Sequence, residues 1–141
     1  MSGLHYTYQV PGDDFTRAGE ASGAVKGTLK KLGFPPEVVR KVSIAMYEGE
    51  INLVIHGGGG TIDVDIDGEK VHMVLSDHGP GIPDIAKAME EGWSTAPDNV
   101  RSLGFGAGMG LPNMKKYSDE MKVESTVGEG TTVTMTVYLR G

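Results

Sequence analysis

The chain contains no cysteine and a single tryptophan, and aromatic residues make up only 6% of its 141 positions. Without cysteine there are no disulfides, no thiolate metal ligands and no cysteine nucleophile, and the composition suits a reducing, cytoplasmic setting. Long apolar runs are also missing. The longest are three or four residues, against the roughly 20 that a membrane-spanning helix needs. Met1–Val10 is mixed and polar, unlike a secretory signal. Basic charge is scarce, with 13 Lys and Arg against 19 Asp and Glu, a net charge of −6. That argues against nucleic acid or an anionic membrane as the main partner, since both need an extended basic surface.

Glycine is in excess, with 22 residues, about twice the usual share of roughly 7%. The glycines gather in a few boxes, which points to loops that bring backbone close to a ligand. Leu4–Val10 alternates like a strand and stops at Pro11-Gly12. Apolar residues at three- and four-residue spacing predict a helix over 14–32. Gly19, Gly23 and Gly27 form a second stripe on it, where another backbone could approach. A second helix is expected over 37–56, between Pro35-Pro36 and Gly57–Gly60. Thr61–Asp67 and Lys70–Asp77 alternate about an Asp67-Gly68 turn and read as a hairpin. A short helix over 83–91, a glycine-rich stretch over 93–110, a helix over 111–121 and a hairpin of 122–127 with 131–140 complete the order. This order predicts a single domain over 1–141 with an α+β fold. It would be a two-layer α/β sandwich whose mixed, mostly antiparallel sheet is covered on one face by helices.

On a helical wheel of the second helix, with about 100° per residue, Ile44, Tyr47, Ile51, Val54 and Ile55 form one apolar stripe. Ser43 and Glu50 mark the expected solvent side. Glu48 and Asn52, one turn apart, then point into the protein or a cleft. A buried carboxylate needs a partner. Lys41 on the same side offers a structural ion pair, whereas the pair Glu48 and Asn52 could instead handle a proton and bind a metal or phosphate.

Three glycine boxes follow. In Asp77-His78-Gly79-Pro80-Gly81, Asp77 shares the parity of Val71, Met73 and Leu75, and so faces the core. Such an acid could take an adenine amine, with Gly79 and Gly81 leaving room for a flat base. Gly104-Phe105-Gly106-Ala107-Gly108-Met109-Gly110 feeds a helix starting at Leu111, and a helix N-terminus behind a glycine loop is suited to anions. It lacks the Gly-Lys-Ser/Thr of a Walker loop and the preceding strand of a dinucleotide fingerprint. In Gly128-Glu129-Gly130-Thr131-Thr132, Thr131 shares the parity of Val133, Met135 and Val137. A core-facing Thr131 and Asp77 could meet through a base or a water.

Glu48-x-x-x-Asn52, Asp77-x-Gly79-x-Gly81, Gly106-x-Gly108-x-Gly110 and Gly130-Thr131-Thr132, in this order, resemble the GHKL (Bergerat-fold, histidine-kinase-like) ATPases. The resemblance runs from Leu4 to Leu139. Its details look most like the bacterial anti-sigma factor and stress-response switch serine kinases. It implies ATP with Mg²⁺ as cofactors. Asn52 would ligate the metal, and Glu48 would be the general base. Asp77, Gly79, Gly81 and Thr131 would hold the adenine. Gly106, Gly108, Gly110 and the following Leu111 would surround the phosphates in a lid over 93–110. Phe15-Thr16-Arg17 resembles the family's first-helix stretch, so Arg17 would contact a protein partner. That partner would be a small antagonist-like substrate, a sigma factor or both, and a homodimer is another use for this face. The bare Gly57–Gly60 exit, the long lid and His78 depart from the family pattern but remove no implied ligand. The competing reading is a nucleotide-gated protein-binding module that transfers nothing. A histidine-kinase fragment or a gyrase-like ATPase fits the element order less well.

Overall fold

The computed structural model describes residues 3–12, 17–55, 58–79 and 110–139. Its elements are β1 (Leu4–Pro11), α1 (Glu20–Lys31), α2 (Pro36–Ile55), β2 (Gly59–Ile66), β3 (Lys70–Ser76), α3 (Gly110–Tyr117), β4 (Glu120–Thr126) and β5 (Gly130–Tyr138). The expected helix over 83–91, and the loop over 93–110 apart from Gly110, lie outside the described residues.

The five strands form one sheet in the order β1-β2-β3-β5-β4. All four pairings are antiparallel, running from Leu4↔Ile66 at one edge to Met121↔Met135 at the other. Strict alternation produces the two faces. Ile62, Val64, Ile66, Val71, Met73, Met135 and Val137 are each 0% exposed and face the helices. The opposite face carries polar rows such as His5, Asp65 and His72. There His5 bonds Asp65 through Nδ1 at 2.7 Å, and Thr7 donates to Asp63 at 2.8 Å. Pro11 is tolerated because β1 is an edge strand.

The helices cover one face, with α2 against the sheet and α1 and α3 packed on α2. Leu29, Val42, Ala45, Met46 and Met114 complete the core. Each of the larger side chains among these contributes about 1.5–3 kcal/mol by leaving water. α1 ends in a Schellman turn: Gly33 N–H donates to Lys30 C=O and Phe34 N–H to Leu29 C=O, with Gly33 at φ 78°. α2 then begins at Pro36, a position where the missing N–H is no loss.

Two boundaries differ from the sequence reading. α1 begins at Glu20, behind a turn at 17–19. Among the described residues, a Cβ at Gly23 or Gly27 would meet nothing within 4 Å, so no described backbone packs against those two glycines. α3 ends at Tyr117 rather than near 121. Asp119 N–H donates to Thr136 C=O and starts β4, so sheet pairing of Met121 and Val123 overrides the helical spacing.

Candidate functional site

α2 is buried on more sides than the apolar stripe suggested: Ile51 (7% exposed) and Val54 (2%) of that stripe are buried, but so is a second side of the helix. Val38, Val39, Val42, Ala45, Met46 and Leu53 are at most 5% exposed, whereas Tyr47 is 40% exposed. Glu50, expected in solvent, is 2% exposed. α1 explains the correction. Glu50 Oε2 accepts the N–H groups of Gly19 (3.0 Å) and Ala21 (3.1 Å), and Oε1 accepts that of Ser22 (2.9 Å). These amides at the start of α1 have no intrahelical acceptor, and a carboxylate there also meets the positive end of the helix dipole. Gly19, the N-cap at φ 102°, makes no side-chain cap, so α2 supplies it from outside. Ser43 is half-buried and donates to Val39 C=O.

Glu48 lies two residues before Glu50 in a different setting. It is half-buried, and burial raises its carboxyl pKa, opposed by a hydrogen bond from Asn113. Asn113 Nδ2 donates to Oε1 at 3.3 Å. Lys41, the cation that the sequence offered as a partner, instead donates to Asp119 Oδ1 at 2.8 Å. Asn52, one turn on, is half-buried and makes no side-chain hydrogen bond among the described residues. Gly49 between the two acids is where α2 crosses β3 and α3: a Cβ there would run into Leu75 and come within 3.3 Å of Met114 Sδ. Asn113, Gly49 and the role of Glu50 were missed by the sequence reading. A small residue inside a long helical pattern was the available signal for Gly49.

At the end of β3, Asp77 Oδ1 accepts the N–H groups of Gly79 (2.8 Å) and Thr131 (3.2 Å), and Asp77 N–H donates to Thr131 C=O (2.9 Å). Asp77 and Thr131 therefore meet directly, through backbone. The Thr131 hydroxyl is shared with Ser125 at 2.8 Å. Gly130, at φ 136°, leaves no room for a Cβ against the Asp77 carbonyl. Asp77 Oδ2 accepts no hydrogen bond among the described residues. Gly110 opens α3, and Leu111 is 6% exposed, its side chain placed in the core. Arg17 is exposed and bonds Glu20 Oε1 through Nε at 3.3 Å. Gly81, Gly106 and Gly108 lie outside the described residues.

The donor set suits a magnesium nucleotide. Asp77 Oδ2 is an acceptor without a donor, as an exocyclic amine requires. Asn52 offers a hard amide oxygen, and Mg²⁺ in phosphate sites takes only one or two protein oxygens beside substrate phosphates and water. No group of three or more acidic, His or Cys side chains among the described residues forms a separate metal cage.

The five-stranded antiparallel sheet with helices on one face is an α+β fold consistent with a histidine-kinase-like ATPase domain. Residues 13–137 match the model of the histidine kinase-like ATPase domain, and the chain belongs to that family. It is 33% identical over 119 residues to the serine/threonine-protein kinase RsbT of Bacillus subtilis (strain 168), covering 82% of this chain and 84% of that protein. It is 37% identical over 136 residues to an anti-sigma F factor of Geobacillus stearothermophilus, covering 92% and 86%. Among solved structures, a Mycobacterium tuberculosis protein with RsbU and RsbW domains superposes with a TM-score of 0.63 at 17% identity. That match covers 97% of this chain and 32% of the longer one, and it shows the fold alone. No helix among the described residues is long and apolar enough to cross a membrane.

Proposed function

We propose that the chain is an ATP- and Mg²⁺-dependent protein serine/threonine kinase of the anti-sigma regulatory type, acting in the cytoplasm as one domain over 1–141. Its substrate would be a small antagonist-like protein, and Arg17 would help hold that protein or a sigma factor. The observation that carries the reading is Glu48, a half-buried carboxylate with an amide neighbour and no cation among the described residues. A structural acid at such a site is normally paired. Burial moves its pKa toward the working pH, as general-base catalysis favours.

Asn52 would hold the metal, which offsets phosphate charge when bound. Asp77 would accept the adenine amine through Oδ2, while Oδ1 stays fixed by the Gly79 and Thr131 amides. Glu48 would take the proton from the attacking serine hydroxyl. Gly81, Gly106, Gly108 and Gly110 would close the nucleotide in, and exclusion of water is the gain from such closure. The test is calorimetry of Mg-ATP binding to folded Asn52→Ala and Asp77→Asn. Asp77→Asn should weaken binding by about 1–3 kcal/mol, the scale of a hydrogen bond to a charged group, and Asn52→Ala should weaken it only when Mg²⁺ is present. Wild-type affinity in both variants contradicts the site. ATP binding with no transfer and no hydrolysis favours the nucleotide-gated binding module instead.

A further inference from the structure

The ATP-site residues leave one cavity of the fold unused. It measures about 480 Å³ and lies between α1 and α2. Its apolar lining includes Phe34, Val39 and Ile44, and its cations are Lys26, Lys30 and Arg40. No acidic residue lines it. Neither lysine nor Arg40 has a carboxylate within ion-pair distance among the described residues, although Arg40 sits 5.4 Å from the centre of the Tyr117 ring. This is unusual in a chain whose acids outnumber its bases by 19 to 13. Ile44 is only half-buried although its neighbours Val42, Ala45 and Met46 are each 0% exposed.

We infer that the α1–α2 groove, lined by Phe34, Val39 and Ile44 and rimmed by Lys26, Lys30 and Arg40, docks an acidic amphipathic helix of a protein partner. Two features select this occupant. Lys26 and Lys30 are one helical turn apart, so they match carboxylates spaced four residues apart on a facing helix. The apolar lining between the cations suits the hydrophobic stripe of the same helix, which is how helices are held in grooves. The unpaired cations supply orientation and association rate, and the apolar contact supplies most of the affinity. Lys26 and Lys30 lie at least two turns beyond Arg17 along the chain, so this surface is separate from the contact proposed for that arginine. The inference does not rest on kinase activity.

The probe is a 16-residue helical peptide with leucines on one stripe and glutamates flanking it, titrated into the full chain by fluorescence anisotropy. Controls are a scrambled peptide of the same composition and a peptide with lysine in place of glutamate. Binding should be specific to the acidic helix and should weaken as salt rises through the range where the Debye length shortens from about 30 to 8 Å. Lys26→Glu/Lys30→Glu should weaken it by at least about tenfold, and Ile44→Asp by a similar factor. Lys26 and Lys30 are exposed, so the double variant should keep its unfolding midpoint and its ATP affinity. Equal binding of the scrambled or lysine peptide, unchanged affinity in the double variant, or no binding of the acidic helix overturns the proposal. So does lysine-dependent binding to phosphatidylserine vesicles or to inorganic phosphate without binding of the peptide, which would assign the groove to an anion or a membrane surface.

Discussion

Two glutamates two residues apart on α2 meet opposite fates. Glu50 is 2% exposed and accepts three backbone N–H groups from the start of α1. Glu48 is half-buried, takes one weak amide contact from Asn113, and has its carboxyl pKa raised by burial. On a helix, residues two apart point in nearly opposite directions, at about 200°. One therefore meets α1 and the other α3. On the proposed reading of Glu48, depth of burial does not separate a structural acid from a chemical one, since the deeper acid is the one that caps α1. The distinguishing property is how fully the oxygens are occupied. Glu50 has both oxygens engaged and nothing left to offer a substrate. Glu48 retains accepting capacity beside a metal-capable amide.

The comparison is tested most severely by removing the satisfied acid. Glu50→Ala leaves three amides near the α1 start without an acceptor. The expected loss is about 2–5 kcal/mol, since each buried donor left unsatisfied costs about 1–3 kcal/mol, read as a fall in the urea midpoint. A loss below about 1 kcal/mol would mean that α1 finds other caps. Gly49→Ala probes the ground between the acids. Its Cβ would displace Leu75, and overpacking of this kind costs about 1–3 kcal/mol, offset by up to about 1 kcal/mol of helix propensity. Net destabilisation should come with weaker nucleotide binding, because the shift separates Glu48 from Asn113. The smallest effect on stability belongs to Glu48→Gln. A carboxyl whose pKa is raised in the folded state binds its proton more tightly there than in the unfolded chain, so its favourable contribution is present at acid pH and is lost as pH rises through the folded value. Glu48→Gln should therefore be at least as stable as wild type at pH 7. The two midpoints should converge as pH falls below the ordinary glutamate value of 4.5. A Gln variant less stable at neutral pH would mean that ionised Glu48 has a stabilising partner.

The sequence carried the sheet well because alternation has one physical reading: Ile62, Val64 and Ile66 must share a face. The same alternation placed Asp77 and Thr131 on one face, and the two meet at the ends of neighbouring strands. It misplaced the faces of α2, because a helix buried on several sides has no single polar stripe whose phase can be read. Ile44, central to the supposed core stripe, lines the groove instead. Lys41 and Asp119 are 78 residues apart, and Asn113 reaches Glu48 across 65. No local pattern announces such contacts. The end of α3 at Tyr117 was lost to a competition between helical spacing and pairing with β5 that only tertiary structure decides.

The central claim is that Glu48 does chemistry and Glu50 holds the fold. It is tested most directly by measuring phosphoryl transfer from ATP, or ATP hydrolysis where no protein substrate is in hand, for Glu48→Gln and Glu50→Gln beside their urea midpoints. Glu48→Gln should lower turnover by about 10²–10⁴-fold, the usual worth of a general base, at an undiminished midpoint and near wild-type ATP affinity. Glu50→Gln should lower the midpoint while turnover per folded molecule stays within a few-fold. Wild-type turnover by Glu48→Gln would contradict the assignment and leave both glutamates as parts of the scaffold.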